Sequence, residues 1–303
     1  MKTIIYYFSG TGNSLAAARK ISSILGECEL VPIASLQEGQ GDTCPHDVRV
    51  GIVCPVYHSH LPRIVAGFAK RLDTSRASYV FAVVTAALGG ALAIHQLNGI
   101  LYRKNGRNLD TASYVLMPGN YPPLIQVPPL YKQPEILKTA DERLERIAHA
   151  IRRDRARPPA YLPFSSIIHE AAGTLIYHDT RNADRRYRVA DTCKGCRTCV
   201  QVCPVDNVIM IRDRPSWLHH CESCGACLNF CPEEAIRRDV IQGISGSGRY
   251  HHPDVSAEEI IVRKGGLAER GNGFSSELPA HRGGTDDEQR DPDTRQLKIS
   301  VAR

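Results

Sequence analysis

The first 157 residues alternate between short, continuous apolar runs and longer segments in which apolar residues recur every three or four positions. Continuous runs predict buried strands, and the three-to-four spacing predicts helices. The predicted strands span residues 2–8, 29–33, 48–53, 79–84 and 109–116, and the predicted helices span residues 13–25, 61–72, 91–104 and 134–153. Strands that are each followed by a helix are typical of a parallel sheet covered by helices on both faces. The pattern therefore predicts an α/β fold with a doubly wound parallel sheet.

The composition changes after residue 157 and divides the rest of the chain. Arg157-Pro158-Pro159 ends the alternation, and a cysteine-rich stretch begins near residue 189. Residues beyond about 264 have few apolar anchors and are predicted to be disordered. The predicted organisation is an α/β domain at 1–157, a connector at 158–188, a small cysteine-rich α+β domain at 189–242 and a C-terminal extension at 243–303.

Charge and hydropathy limit the class of protein. The chain has 303 residues, of which 42% are hydrophobic and 23% charged, and its net charge is +6. This positive excess is too diffuse to indicate nucleic-acid binding, although it suits an acidic protein partner. The longest apolar run, residues 79–88, is too short to cross a membrane, and the apolar start of the chain is too short for a signal-peptide core. These features predict a soluble, cytoplasmic protein without a membrane span.

Eight of the 11 cysteines fall within one stretch of 39 residues, from Cys193 to Cys231. They form two motifs with the same spacing, C-x2-C-x2-C-x3-C-P. Motif A contains Cys193, Cys196, Cys199 and Cys203, and motif B contains Cys221, Cys224, Cys227 and Cys231. Every cysteine recurs after 28 residues, which indicates an internal duplication. Without a secretory signal, such a cluster indicates metal binding rather than disulfides.

This spacing is typical of two 4Fe–4S clusters. Three closely spaced cysteines wrap around one cluster, and the fourth, followed by proline, reaches the other cluster. Cluster I is therefore predicted to bind Cys193, Cys196, Cys199 and Cys231, and cluster II to bind Cys221, Cys224, Cys227 and Cys203. Gly195 and Gly225 lie inside the loops, where a small residue lets backbone N–H groups approach the sulfurs. The alternative is a pair of zinc sites, but zinc ribbons use two separated CxxC pairs.

A second candidate site lies where the first strand meets the first helix. The loop there contains Ser9, Gly10, Thr11, Gly12, Asn13 and Ser14. It has no lysine, unlike a Walker loop, and no third glycine, unlike a dinucleotide-binding loop. Neutral donors at a helix N-terminus suit a terminal phosphate monoester such as that of FMN, and a bulky residue at Gly12 is expected to fill the phosphate position. The alternative is a simple turn that caps the helix.

Ligands of open α/β sheets bind at the carboxyl ends of the strands, so three further loops are expected beside this one. Their predicted FMN-binding residues are Pro55, Val56, Tyr57, Thr85, Ala86, Gly89, Asn120 and Tyr121. Either Tyr57 or Tyr121 could stack on the flavin ring or simply pack in the core. The favoured interpretation of Cys54 is a buried structural thiol. His219 and His220, which precede Cys221, are interpreted as surface residues rather than ligands.

On these residues the chain resembles a family of flavodoxin-like/ferredoxin fusion proteins, the EFR-type ferredoxins. The resemblance rests on Phe8-Ser9-Gly10-Thr11-Gly12-Asn13-Ser14, Pro55-Val56-Tyr57 with Pro62, Met117-Pro118-Gly119-Asn120-Tyr121, the stretch 193–236 with Pro215-x-Trp217, and Arg249-Tyr250-His251-His252-Pro253. It covers roughly residues 1–264 and implies a flavodoxin-like FMN-binding domain followed by a bacterial-type ferredoxin domain. The chain departs from the family at Ala86-Ala87-Leu88, where relatives tend to carry an aromatic residue and glycines.

Three functions are compatible with these features. The first is an electron-transfer flavo-iron–sulfur protein that passes electrons between FMN and the two clusters, with redox proteins as donor and acceptor. The second is an FMN-dependent reductase of a small acceptor, of the quinone or corrinoid type, supplied by the clusters. The third is an oxygen or redox sensor that binds no flavin. The sequence assigns no catalytic residue, favours no nucleic-acid partner and is compatible with a homodimer.

Overall fold

A computed structural model describes residues 1–36, 43–120, 127–159, 182–238 and 248–265. The first part of the chain forms one parallel sheet of five strands: β1 (Thr3–Tyr7), β2 (Cys28–Pro32), β3 (Arg49–Pro55), β4 (Tyr79–Ala86) and β5 (Thr111–Leu116). The strands are ordered β2-β1-β3-β4-β5. This is the strand order of flavodoxin-like sheets. In such sheets the ligand binds between β1 and β3, where the strand order reverses.

Four helices flank this sheet: α1 (Asn13–Leu25), α2 (Arg63–Arg71), α3 (Ala91–Asn105) and α4 (Gln133–Arg152). Helix α1 packs beside α4, and α2 packs beside α3. Every predicted strand and helix of this part is present, and the predicted fold class is confirmed. The bounds differ from the predicted ones by at most two residues at either end. Helix α2, for example, begins at Arg63 because Pro62 has an extended backbone.

The central strands are apolar because they are covered on both faces. Strands β1 and β4 are buried along their whole length, and β3 along all but its last residue. The two edge strands, β2 and β5, are only partly buried and carry polar residues. The core therefore lies along the middle of the sheet, and the site lies at the carboxyl ends of these rigid strands.

The cysteine-rich part consists of two copies of a strand–helix–strand unit. The first copy contains β6 (Tyr187–Val189), α5 (Thr198–Gln201) and β7 (Val208–Ile211), and the second contains β8 (Arg214–Trp217), α6 (Ala226–Asn229) and β9 (Ile236–Arg238). The two helices are offset by 28 residues (226 − 198), as the cysteines are. Each copy pairs its strands with the other copy, β6 with β9 and β7 with β8, both antiparallel. The structure thus shows the duplication that the sequence predicts.

Residues 248–265, in the range predicted as an extension, pack back onto the α/β part. They end in α7 (Ala257–Lys264), whose N-terminus is closed by a capping box between Ser256 and Glu259. Arg19 of α1 forms an ion pair with Glu259. Residues 266–303, the predicted connector helix near 167–175 and Tyr121 lie outside the described residues. Among the described helices, none combines the length and hydropathy that crossing a membrane requires.

Candidate functional site

A cavity of about 230 Å³ opens at the carboxyl ends of the parallel strands. It is bounded by the loops that follow β1, β3, β4 and β5, which are the four loops singled out in the sequence. Twelve of the predicted FMN-binding residues line it: Ser9, Gly10, Thr11, Asn13, Ser14, Pro55, Val56, Tyr57, Thr85, Ala86, Gly89 and Asn120. The structure therefore brings these dispersed residues to one place.

The N-terminus of α1 is the part of this cavity that suits an anion. The helix starts with no side-chain cap and no acidic residue in its first turn, within the described chain. First-turn backbone N–H groups have no intrahelical acceptor, and the helix dipole favours negative charge beside them. A phosphate group would satisfy these donors without any lysine.

The side chains of the loop are already held by the protein. Thr11 is buried, and its hydroxyl oxygen accepts a hydrogen bond from the Asn120 side chain. The hydroxyls of Ser14 and Thr85 lie 2.8 Å apart. Because each hydroxyl has one hydrogen and two lone pairs, the Thr11 hydrogen and one of the two in the Ser14–Thr85 pair stay available for a ligand.

Asn13 differs from the expectation for a phosphate ligand. Its amide nitrogen donates to the carbonyl of Pro118 at 3.1 Å, and its amide oxygen accepts from the hydroxyl of Tyr250 at 2.8 Å. The Asn13 side chain therefore ties the loop to the β5 loop and to the C-terminal segment. That segment also donates from the His252 backbone to the Thr11 carbonyl at 2.8 Å.

The expectation for Gly12 is wrong, because this residue faces away from the cavity. A Cβ added there would lie 2.8 Å from the Cβ atoms of His252 and Val255. Gly12 also has a φ of 98°, a left-handed conformation that favours glycine. A larger residue at this position would strain the loop and displace the C-terminal segment, and would not fill the phosphate position.

Gly10 marks the place where the cavity meets motif B. A Cβ at Gly10 would lie 2.6 Å from the hydroxyl oxygen of Tyr57 and 2.8 Å from the Cβ of Cys224. Ser223, which precedes Cys224, lines the cavity. The loop of residues 9–14, the predicted phosphate-binding loop (called the phosphate loop below), and the loop of motif B thus touch each other directly, and only a glycine fits between them.

The cysteines predicted for cluster I surround a small separate cavity of about 20 Å³. Cys196 is exposed, Cys193 and Cys231 are half-buried, and Cys199 is buried. Burial raises the pKa of the Cys199 thiol to about 11. The backbone N–H of Ala235 donates to the sulfur of Cys231 at 3.3 Å, and the Thr198 hydroxyl lies 3.5 Å from the sulfur of Cys196.

The cysteines predicted for cluster II, which are Cys203, Cys221, Cys224 and Cys227, are all buried. Burial raises the pKa of Cys221 to about 12 and holds the pKa of Cys227 well above its usual range. After burial, the strongest influences on the pKa of Cys227 are the thiols of Cys224, Cys221 and Cys203. Backbone N–H groups of Asn207 and Ser223 donate to the sulfurs of Cys203 and Cys221 at 3.2 and 3.3 Å. Each crossed set of four cysteines therefore lies together.

The spacing within these sets suits a cluster better than a single ion. Among the described residues, no three His, Cys, Asp or Glu side chains are close enough to share one metal ion. A structural zinc ion requires four ligands at about 2.0–2.3 Å. Four cysteines at the C-x2-C-x2-C-x3-C-P spacing suit a 4Fe–4S cluster, which is held by four cysteine thiolates.

A partly buried ion pair, not foreseen from the sequence, connects α2 to motif B. Glu222 accepts from the backbone N–H of Arg63 at 2.9 Å and from its Nε at 3.3 Å, and the same guanidinium donates to the carbonyl of Cys221. Burial raises the pKa of Glu222, although Arg63 opposes the shift. The pair fixes the start of α2 beside Cys221, one of the cysteines predicted for cluster II.

Three further residues can be assigned. Cys54 is fully buried, and burial raises its pKa to about 12, as expected for a structural thiol. His219 bonds through Nδ1 to Asp184 at 2.9 Å, and His220 bonds through Nε2 to the carbonyl of Val205 at 2.9 Å. Both histidines therefore have partners within the protein other than the cysteines.

Some residues of the cavity were not among the predicted contacts. These are His58, Ser59, Ala87, Leu88, Pro118, Gly119 and Ser223. The first six belong to the strand-end loops that were recognised in the sequence. Ser223 carries no signal of its own, because only the folded chain brings a cluster loop to the cavity.

Comparison with known proteins supports the assignment of the cysteine-rich part. The family model described as a 4Fe-4S dicluster domain matches residues 192–236, which contain both motifs. The chain carries a ferredoxin-type 4Fe–4S domain. This domain supports a redox, electron-transfer role. No curated protein matches the chain.

Solved structures similar to the α/β part are distant. A flavoprotein in complex with FMN from Lactobacillus acidophilus is 16% identical, over 37% of this chain and 92% of that protein, with a TM-score of 0.29. Megasphaera elsdenii flavodoxin is 18% identical, over 49% and 99%, with a TM-score of 0.33. An NAD(P)H:quinone oxidoreductase from Methanothermobacter marburgensis is 12% identical, over 50% and 96%, with a TM-score of 0.33. The fold assignment rests on the strand order of this chain.

Proposed function

We propose that this chain is an electron-transfer flavo-iron–sulfur protein that binds FMN in the cavity and passes electrons between FMN and two 4Fe–4S clusters. The observation that carries the proposal is the contact at Gly10, where the cavity and the loop of motif B adjoin each other. There the phosphate loop contacts Cys224, and Ser223 of the same cluster loop lines the cavity. A flavin in this cavity lies next to cluster II.

The cavity offers each part of FMN a suitable environment. The phosphate binds at the N-terminus of α1, with the hydroxyls of Thr11 and Ser14 as neutral donors. The loop of Tyr57 and the loop of Ala86 and Gly89, which line the rest of the cavity, would hold the ring system. Tyr121, predicted as a further contact, stays a prediction.

The chemistry of the cofactors explains why both kinds belong in one chain. Flavins exchange electrons in pairs or singly, whereas each 4Fe–4S cluster exchanges one electron at a time. The protein's own contribution is to hold the two sites side by side and to keep water from cluster II, whose four cysteines are buried.

Cluster I is the site at which we expect other redox proteins to exchange electrons. Cys196 is exposed and the loop residues Lys194 and Arg197 beside it are exposed as well. The order of transfer is therefore FMN, cluster II, cluster I and partner protein, or the reverse.

Cofactor analysis of anaerobically purified protein tests this proposal. We expect about eight iron and eight sulfide per chain, together with one FMN. Tightly bound zinc without acid-labile sulfide would exclude the clusters. Full iron and sulfide with no affinity for FMN would exclude the flavin and favour a sensor.

Flavin binding to the full-length chain tests the phosphate site. Thr11→Val removes one donor to phosphate, and hydrogen bonds to charged groups contribute about 1.5–3 kcal/mol, so affinity for FMN should fall about 10- to 100-fold. Thr3→Val, at the other end of β1, also removes a buried hydroxyl and should leave the affinity unchanged. Riboflavin, which lacks the phosphate, should bind much more weakly than FMN. Equal affinity for the two flavins would remove the phosphate-loop argument.

One observation favours a second candidate, an FMN-dependent reductase of a small acceptor. Leu88 lines the cavity and is 83% exposed, so the cavity has an open, apolar side. If FMN is reduced chemically in the Cys196→Ala variant, which disables cluster I, rapid oxidation of this FMN by a soluble quinone would show direct reduction at the flavin. Failure of the reduced flavin to react with the quinone would favour transfer to redox proteins.

A further inference from the structure

The hydroxyl of Tyr57 is an enclosed polar group without a partner. Its oxygen has almost no solvent exposure, and among the described residues it has no hydrogen-bond partner. Buried hydroxyl groups are normally paired, and an unpaired one costs about 1–3 kcal/mol. An acceptor is therefore missing at this position.

The backbone around Tyr57 holds the ring in place. Tyr57 and His60 exchange both of their backbone hydrogen bonds at 2.9 Å, and His58 and Ser59 between them have φ values of 50° and 67°. Two positive φ values in a two-residue turn define a tight hairpin turn of type I′. The ring also makes an edge-to-face contact with Phe8, with centroids 6.4 Å apart. The hydroxyl thus cannot turn to solvent by a local adjustment.

The hydroxyl of Tyr57 points towards Cys224, one of the cysteines assigned to cluster II. The Cβ position of Gly10 is 2.6 Å from the Tyr57 oxygen and 2.8 Å from the Cβ of Cys224, and Gly10 has no side chain to separate them. A phenol hydroxyl carries one hydrogen, so Tyr57 can donate to an acceptor on this side.

We propose that Tyr57 donates a hydrogen bond to cluster II on its Cys224 side and so raises the reduction potential of that cluster. The acceptor is a sulfur of the bound cluster. Hydrogen bonds to cluster sulfurs stabilise the more negative, reduced state. Because Tyr57 also lines the flavin cavity, one side chain touches both redox sites.

A second enclosed donor faces the same cluster from another side. The indole Nε1 of Trp217 is buried and has no hydrogen-bond partner among the described residues within ordinary distances. Trp217 packs against the group of buried residues that contains Cys221 and Cys227. Two enclosed donors therefore lie beside one set of cysteines, and a cluster bound there can supply acceptors to both.

This inference depends on the 4Fe–4S domain and not on FMN, so it can be tested without flavin. The test is a redox titration of flavin-stripped, full-length protein, monitored by electron paramagnetic resonance. Cys203→Ala and Cys231→Ala variants assign the two signals. In Tyr57→Phe we expect the equilibrium constant for reduction of cluster II to fall about tenfold, which equals about 59 mV for one electron. The potential of cluster I should not change.

Tyr79→Phe is the matched control. The hydroxyl of Tyr79 is also enclosed, but it bonds to Thr111 and to the carbonyl of Arg155 at the opposite ends of the strands. Its removal should leave both potentials unchanged. An unchanged cluster II potential in Tyr57→Phe, or equal shifts of both clusters, would overturn the proposal.

A second measurement covers the case in which Tyr57→Phe does not retain cluster II. Electron–nuclear double resonance of reduced wild-type protein should show a proton coupled to cluster II that is lost after exchange into D2O and is absent from the spectrum of protein labelled with O-methyltyrosine at position 57. Absence of such a proton in wild-type protein would also overturn the proposal.

Discussion

Motifs A and B have the same spacing and the same local backbone, yet they lie in different environments. The left-handed residues Gly195 and Arg197 of motif A correspond to Ser223 and Gly225 of motif B, 28 residues later. In motif B, every residue from 221 to 230 is buried. In motif A, Lys194, Cys196 and Arg197 are exposed.

The difference comes from what packs over each motif. Motif B is covered by the phosphate loop at Gly10, by Arg63 at the start of α2 and by residue Tyr250, whose backbone donates to Asn229 at 2.9 Å. Motif A packs into the main core at Val202, whereas each residue of its loop at 193–198 is exposed or half-buried. The duplicated sequence thus gives two cluster sites with the same spacing. The rest of the fold makes the site of cluster II internal, because it is buried, and leaves the site of cluster I external, because it is partly exposed.

The largest expected effect tests whether each cluster is bound by three cysteines of one motif and one cysteine of the other. Cys203→Ala should remove cluster II, and about half of the iron, although Cys203 belongs to motif A. Cys231→Ala should remove cluster I in the same way. Iron analysis and electron paramagnetic resonance check the loss, with Cys193→Ala and Cys221→Ala as references. If Cys203→Ala removes the same signal as Cys193→Ala, the crossed arrangement is wrong.

The next effect concerns the contact that covers motif B. In Gly10→Ala the added Cβ would lie 2.6–2.9 Å from Tyr57 and Cys224, and overpacking of this kind costs about 1–3 kcal/mol. We expect less FMN and less cluster II per chain, with cluster I retained, as measured by flavin fluorescence and iron content.

Gly67→Ala is the control for this change. Gly67 lies within α2, and an added Cβ would meet nothing within 4 Å. This variant should be as stable as wild type or more stable by about 0.5–1 kcal/mol. Equal losses of both clusters in Gly10→Ala would show that the contact is not specific to motif B.

A smaller effect concerns the lifetimes of the two clusters. Cluster I should be lost first when reduced protein is exposed to air or to an iron chelator, because Cys196 is exposed while the cluster II cysteines are buried. About 1.4 kcal/mol of additional opening free energy would make the loss of cluster II about tenfold slower. Time courses of the two paramagnetic signals measure this ratio. Simultaneous loss would remove the distinction between an internal and an external cluster.

The smallest effect concerns the pH dependence of the stability that the C-terminal segment, residues 248–265, contributes through His252. Burial lowers the pKa of His252, which is 6% exposed, while Asp254 opposes the shift. A histidine with a lowered pKa in the folded state contributes stability above its ordinary value of 6.5, and this contribution is lost as the pH falls. Thermal unfolding should therefore show a decrease in stability below about pH 6.5.

His252→Asn is the matched variant for this pH dependence. The ring nitrogen of His252 accepts from the backbone of Asp254 at 3.2 Å, and an asparagine oxygen can replace that acceptor. The variant should lose part of the pH dependence, and the cluster II lifetime should become less sensitive to acid. A pH profile identical to that of wild type would show that His252 does not contribute.

Most of the fold and both sets of cluster cysteines could be predicted from short-range sequence patterns. The short, continuous apolar runs of β1, β3 and β4 are typical of buried parallel strands, and the cysteine spacing is typical of ferredoxin clusters. The orientation of Gly12 could not be predicted, because it depends on His252 and Val255, about 240 residues later in the chain. The same holds for Ser223 and for the Arg63–Glu222 pair, which arise from contacts between distant segments.

The exchange of strands between the two copies has a consequence for biosynthesis. Strand β6 of the first copy pairs with β9 of the second, and Cys231 lies just before β9. A nascent chain that has reached residue 220 holds three cysteines of cluster I and one of cluster II, and it lacks the strand that closes the site of cluster I. The first half therefore cannot be loaded by itself: the ligands of cluster II are complete only when Cys227 has been made, and those of cluster I only when Cys231 has emerged from the ribosome.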